Sequence, residues 1–570
     1  MAIVVAASSM VASTTHAAGD SVVPGTPPSS VIISIVGTSD LHGHLEALPR
    51  FGAYLTNLRR ARAREGGGVV LLDGGDIFHG TLDSNLNEGA AAVAAYNALR
   101  YDAVAIGNHE FDFGPVGPAH TPGAPGDDPQ GALKARASEA HFPFLAANLV
   151  DAATGKPPAW PNVRTSTTVS VGAVTVGVIG LANAATASIT LPANFAGLRA
   201  LPLGPAVVAE AKELRRRGAA AVVVVAHVGG ACTQFTQSDD LSSCNADSEI
   251  FQLARALPAG TIDAIVAGHT HAGIAHRVAG IPIIESYANG RAFGRVDLTV
   301  DLAPRRARGR GHAKGRPAVV EAHLFPPQDL AKPGFSFFGT YEGVPLAADP
   351  DVEAAIAPAL AAARAKRDAK LGVTIAHPIA PAYATESALG NLFADLMRAA
   401  RPKADVAVTS GGSLRAELPA GPLTYGQLHE ALPFDDRFAT ISITGGDLAA
   451  TIARNLARAG GVVSLSGLRA QAACVDGALQ VTLSRPAGTP VGAGERLTLV
   501  TSEFLATGGG GVFSDEVRAG ATPAAGPTIR DAMADLLRAR RAPLDPDNPP
   551  LYDAAHPRLG YAGKRPLTCR

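Results

Sequence analysis

Five short runs rich in Val and Ile or Ala, at 31–36, 69–72, 103–106, 221–225 and 264–266, each close within a few residues on side chains that bind metal ions. The closing segments are Asp40-Leu41-His42, Gly75-Asp76, Gly107-Asn108-His109-Glu110, Ala226-His227 and Gly268-His269-Thr270-His271. Near-continuous apolar runs of this length read as strands buried on both faces. Each ligand set is therefore expected at the C-terminal end of a strand, the edge of an open α/β sheet where loops converge on a rigid base.

The donor types narrow what such a site could hold. Carboxylate, amide oxygen and imidazole without thiolate suit Mn, Zn, Fe or Mg, not a structural Cys-rich zinc site. Two divalent ions about 3.5–4 Å apart need a shared ligand. A carboxylate can bridge in a way imidazole cannot, so Asp76 is the bridging candidate. Any one of these motifs alone also occurs as an ordinary turn; their succession, each after a strand, makes the pattern informative. The serines around Gly411 and Gly412 lack the strand-elbow-helix pattern of a serine hydrolase, and that loop reads as a close backbone approach to a ligand.

The series Asp-x-His, Gly-Asp, Gly-Asn-His-Glu, a lone His after a Val run, and Gly-His-x-His is similar to that of the calcineurin-like metallophosphoesterases. More narrowly, Gly107-Asn108-His109-Glu110-Phe111-Asp112 is followed by Thr409-Ser410-Gly411-Gly412-Ser413-Leu414-Arg415 and by Ala506-Thr507-Gly508-Gly509-Gly510-Gly511. This combination resembles the secreted 5'-nucleotidase family, over residues 30 to 545.

The resemblance implies an α/β (α+β) chain: an N-terminal four-layer α/β/β/α metallophosphoesterase sandwich, a linking helix, and a second, smaller α/β substrate-binding domain. It places one divalent ion on Asp40, His42, Asp76 and His271, and a second on Asp76, Asn108, His227 and His269. His109 and Asp112 match the family's catalytic pair, the imidazole facing the substrate phosphate. A cationic imidazole there would stabilise charge spread over the phosphoryl oxygens, and the Asp would raise its pKa and fix its tautomer. Arg415 matches a phosphate- or carboxylate-binding arginine, and Phe434 and Phe504 match two aromatics that stack a nucleobase. Two positions depart from the pattern: Thr385 stands where an arginine is usual, and Gly510 where an aspartate is usual.

The implied function is an exported, metal-dependent phosphoesterase that hydrolyses nucleotides by attack of water on phosphorus. The departures leave open a 2',3'-cyclic-nucleotide or sugar-nucleotide substrate. A thiosulfohydrolase-like enzyme and a non-catalytic surface-binding protein are the readings from other classes.

Length and charge set the frame. A chain of 570 residues is long enough for two sizeable domains. A formal net charge of -1 provides no global field for a nucleic acid polymer, so a small molecule is the expected partner; the resemblance implies that it is a nucleotide or other phosphate ester, and a monomer is the expected state. The basic stretch Pro304 to Arg316 is interleaved with Gly and reads as a solvated loop. Met1 to Ala18 resembles a secretory leader, although no Lys or Arg precedes its apolar part; a periplasmic or extracellular location follows, with no membrane span expected.

Cys232 and Cys244 bracket a polar insertion after His227 and are disulfide candidates; Cys474 and Cys569 could pair if the tail folds back. The expected organisation is a leader over 1–30, the phosphoesterase domain over 31–325, a linker and linking helix over 326–370, the substrate-binding domain over 371–545 and a tail over 546–570. Pro358 inside the linking helix predicts a kink unless the helix starts just before it. An amphipathic helix is expected over 386–397.

Overall fold

The computed structural model describes residues 29–117, 120–122, 124–302, 317–330, 339–524, 526–540 and 542–569. The leader-like segment and the basic stretch lie outside them.

The strands expected from the Val- and Ile-rich runs form at Ser30–Thr38, Gly68–Asp73, Ala103–Ala105, Ala221–Ala226 and Ala264–Val266. The first three lie side by side and parallel in a seven-stranded sheet, and the last two are parallel neighbours in a six-stranded sheet. Alternation along each strand explains why no polar face was legible. Ile33, Ile35, Val70 and Leu72 pack in the layer between the sheets, against Val223, Val225 and Val266. Val36, Leu71 and Val104 face helices Leu48–Arg64 and Ala90–Leu99. Val222 and Val224 face helices Leu203–Arg216 and Glu249–Ala256 on the opposite side. The result is the expected four-layer α/β/β/α sandwich.

The second domain is built on a five-stranded sheet in the spatial order Val463–Ser466, Val406–Ser410, Arg496–Ser502, Phe438–Thr444, Ala521–Pro523. Helices Ala388–Ala400 and Ile529–Ala539 cover one face through Phe393, Met397 and Met533. Helix Gly445–Leu456 covers the other through Leu448 and Ile452. The helix expected over 386–397 starts two residues later, because Ser387 caps it by accepting from the Gly390 N–H. Glu386 is instead buried outside it and accepts from Asn391 Nδ2 at 2.6 Å and the Leu559 N–H at 2.8 Å.

The linking helix is Pro350–Arg367 and runs through Pro358 without ending there. Asp349 caps it, Pro350 occupies its first turn, and its acidic residues come first and its basic ones last, as the helix dipole favours. Val352 and Ile356 are buried in the first domain's core and Ala363 in the second's, so one helix is shared by both.

The tail folds back. Leu559–Gly560 pairs in parallel with Arg469–Val475, and Cys474 and Cys569 form a disulfide across 95 residues. Cys232 and Cys244 form the second, across 12.

Candidate active site

The five ligand-bearing segments meet at the C-terminal ends of their strands. Backbone bonds zip two of them together: the Asp40 N–H donates to Gly75 O at 2.9 Å and the His42 N–H to Asp76 O at 3.0 Å. Asp40 (φ 53°), His42 (48°), Asp76 (60°), His269 (80°) and His271 (55°) all hold left-handed backbone. Such a conformation costs a non-glycine residue of order 1–3 kcal/mol and persists only where the surroundings impose it. Gly107 has no alternative: a Cβ there would lie 2.1 Å from Asp76 Oδ1.

The side chains gather into two adjoining groups. Asp40, His42 and His271 form one and Asp76, His227 and His269 the other, each with its ligand atoms within 4.8 Å of one another. Asn108 Oδ1 joins the second group, 3.1 Å from His227 Nε2. Hydrogen bonds on the outer nitrogens fix the tautomers. His42 Nδ1 donates to His79 O at 2.8 Å and His227 Nδ1 to Gly74 O at 2.9 Å, so Nε2 is the nitrogen each ring turns inward, available to a metal once it carries no proton. His42 Nε2 then lies 3.0 Å from His271 Nε2, and His227 Nε2 lies 3.1 Å from His269 Nδ1. Ring nitrogens converging at these distances beside two carboxylates suit a cation, and the donor set fits the divalent ions implied by the fold.

The electrostatics agree. Burial alone would raise Asp76, but His227 and His109 hold it well below the usual carboxylate range. Burial would lower His227, yet the Asp76 carboxylate lifts it to about 10. Burial and the neighbouring His271 and Arg415 push His42 well down. The centre therefore stabilises positive charge near Asp76, and a metal would take the place of a proton on the His227 nitrogen.

His109 and Asp112 come together as expected, with Nδ1 to Oδ2 at 2.5 Å. Burial opposes protonation of His109, but the carboxylates of Asp112 and Asp76 overcome it and raise its pKa. Asp76 Oδ1 also accepts from the His109 N–H at 2.8 Å, tying this pair to the metal ligands.

A cavity of about 910 Å³ opens from this centre to the second domain, touching Asp76, His109, Arg415, Phe434, Phe504 and Gly510. Its size is within the roughly 300–1,000 Å³ usual for small-molecule sites. Both candidate stacking rings thus reach the cavity. Phe434 also packs on His79, with centroids 5.1 Å apart. At Gly510 an added Cβ would meet nothing closer than 3.7 Å, so packing does not forbid a side chain there; φ of +60° disfavours most. Thr385 is exposed and does not line the cavity.

Some residues that shape the site carried no assignment from sequence. Glu110 accepts from the N–H groups of Gly107 (2.7 Å), Ile77 (2.8 Å) and Asp76 (2.9 Å), binding two ligand loops together; burial pushes its pKa to about 7. Glu285 accepts from Thr270 Oγ1 at 2.6 Å and the Gly230 N–H at 3.1 Å, joining the loops of His227 and His269. An acidic residue directly following the Asn-His pair was the available signal for Glu110. Glu285 is the one charged residue of its strand, Ile281–Ser286, and that charge was the anomaly.

Comparison with known proteins adds three findings. The calcineurin-like phosphoesterase family matches residues 33–273 and the 5'-nucleotidase C-terminal domain matches 365–515. Among curated proteins, Endonuclease YhcR of Bacillus subtilis (strain 168) is 26% identical over 550 residues, 91% of this chain, which spans 40% of that longer protein. Protein UshA of Yersinia enterocolitica is 26% identical over 519 residues, 84% of this chain and 86% of its own length. Among solved structures, the 5'-nucleotidase precursor from Thermus thermophilus superposes with a TM-score of 0.68 at 23% identity, covering 89% of this chain and 96% of its own, which bears on the fold.

Proposed function

The chain belongs to the calcineurin-like phosphoesterases that carry a 5'-nucleotidase C-terminal domain, and on that premise we propose that it is a metal-dependent hydrolase that cleaves phosphate from nucleotides. The observation that carries this reading is the convergence of imidazole nitrogens, His42 with His271 at 3.0 Å and His227 with His269 at 3.1 Å, beside a cavity that Phe434 and Phe504 also line.

In this reading Asp40, His42, Asp76 and His271 hold one divalent ion, and Asp76, Asn108, His227 and His269 a second, drawn from Mn, Zn, Fe or Mg. Bound there, the ions supply charge that acidifies water and neutralises phosphate oxygens. The reaction is in-line attack of water on phosphorus with release of the nucleoside. His109, kept cationic by Asp112 and Asp76, donates to a phosphoryl oxygen as charge spreads over it. Arg415 offers the planar fork that suits phosphate. Phe434 and Phe504 offer apolar faces to a base.

Export is supported by the leader-like first 18 residues and by two disulfides, which persist in oxidising compartments. Among the described residues no helix is long and apolar enough to cross a membrane.

The test is a hydrolysis screen of nucleoside monophosphates, cyclic nucleotides and sugar nucleotides against a panel of divalent metals, with bound metal counted. Release of phosphate only with a divalent ion present is expected. Protein that binds none, or cleaves nothing in the screen, would leave the binding-only alternative. Sulfate release from a sulfur-linked sulfonate, R–S–SO3⁻, would favour the thiosulfohydrolase.

A further inference from the structure

His79 has no part in the ligand sets or in the His109–Asp112 pair, yet it touches both. It is 3% exposed and follows Asp76 by three positions. Its carbonyl accepts from His42 Nδ1, a role any residue could fill. Its side chain is less replaceable. Nδ1 lies 3.2 Å from Asp112 Oδ2, the same oxygen that His109 Nδ1 reaches at 2.5 Å. The ring packs on His109 with centroids 5.8 Å apart and planes 19° from parallel, and on Phe434 at 5.1 Å and 27°. Phe434 and His109 are themselves 5.8 Å apart, so the three rings form one cluster.

That cluster crosses between domains. His79, His109 and Asp112 belong to the phosphoesterase domain, whereas Phe434 belongs to the second, where it offers a face to the cavity. Beside it, Asn85 Nδ2 donates to Pro433 O at 3.3 Å, a second link across the same boundary. Anything that fixes Phe434 against the first domain presses on the imidazole of His79, and His79 in turn shares the oxygen that orients His109. A ligand can shift this arrangement only by preferring it, and a base stacked on Phe434 does so.

We propose that His79 is a positioning residue that couples a nucleobase seated on Phe434 to the orientation of the His109–Asp112 pair, so that the nucleoside part of the substrate raises kcat as well as affinity. The proposal rests on the reading of this site as a nucleotide phosphoesterase.

Two variants divide the contacts. His79→Phe keeps a ring for the cluster and loses the Asp112 contact; His79→Gln keeps a donor within reach of Asp112 and loses the ring. Each is purified with metal, its metal content measured, and its kcat and KM determined on a nucleoside monophosphate and on 4-nitrophenyl phosphate, which carries no base or ribose. In the parent, kcat for the nucleotide is expected to exceed that for the aryl ester. In both variants the ratio of the two kcat values is expected to fall about tenfold, with nucleotide KM moving less than about threefold and metal content retained. An unchanged ratio in both variants overturns the coupling, even if both rates drop, because a merely structural role lowers them together. A parent that cleaves the aryl ester but no nucleotide overturns the functional reading itself, and the coupling with it.

Discussion

Arg415 Nη2 lies 3.4 Å from His42 Nε2, so a guanidinium of the second domain reaches a metal-ligand candidate of the first. In the proposed reading this places the guanidinium within reach of the substrate phosphate. Arg415→Ala is expected to raise KM for phosphate esters roughly 10- to 100-fold, the value of a charge-assisted hydrogen bond, and Arg415→Lys to recover part of it. Steady-state kinetics with saturating metal measure this. A KM unmoved by either change would remove Arg415 from substrate capture.

Asp76 and His109 should fail in different ways. Asp76 gathers with His227 and His269, and in the proposed reading its carboxylate is shared with the other group, so Asp76→Asn is expected to lower bound metal and abolish turnover. His109→Ala is expected to keep the metal and lower kcat by about 10²- to 10⁴-fold. Elemental analysis beside rate measurement separates the two. Dialysis against a chelator should reproduce the Asp76 result and be reversed by divalent metal; full activity after removal of all metal would contradict the mechanism.

Arg530, which is 2% exposed, pairs with Asp435 and donates to Leu432 O at 3.1 Å and Phe434 O at 3.0 Å, bracing the loop that presents Phe434. Burial would raise Asp435, but Arg530 and His120 hold it below its ordinary 3.8. A carboxylate depressed in the folded state contributes its stability fully above the unfolded pKa and loses it as pH falls through the folded one. Asp435→Asn is therefore expected to cost about 2–3 kcal/mol near neutrality, somewhat less than a fully buried pair. The gap between parent and variant should close below pH 3.8 in denaturant titrations. A gap constant from neutral to acid pH would show that the pair does not act electrostatically.

The disulfide between Cys474 and Cys569 closes a separation of 95 residues and holds the tail against the Arg469–Val475 strand. Cys569→Ser is expected to destabilise the second domain by about 2–4 kcal/mol while leaving the metal centre intact. Calorimetry beside metal content measures both. An unchanged melting profile would mean that the parallel pairing of Leu559 and Gly560 suffices alone.

The candidate metal centre was largely legible because each candidate ligand closely follows a strand, and a strand buried on both faces announces itself in a near-continuous apolar run. The candidate side chains gather in two groups, Asp40 with His42 and His271, and Asp76 with His227 and His269. What the sequence hid depends on contacts between distant segments. Glu110 is adjacent to the ligands, but its three backbone partners lie in two different loops. Nothing periodic marks Glu285. The contact of His79 with Phe434 spans 355 positions and exists only because the domains meet. Pro358 lies inside its helix, which does not end there, and the two ends of that helix are buried in different cores.

The left-handed backbone at Asp40, His42, Asp76, His269 and His271 has an evolutionary reading. Glycine adopts that conformation without steric penalty, so replacing one of these residues by glycine would relieve local strain even as it deletes a ligand. Selection of this protein for heat resistance alone, without a check on turnover, would accordingly be drawn toward these five positions of the candidate centre. The same peptide units that a stability screen would mark for improvement are the ones a functional lineage must keep uncomfortable.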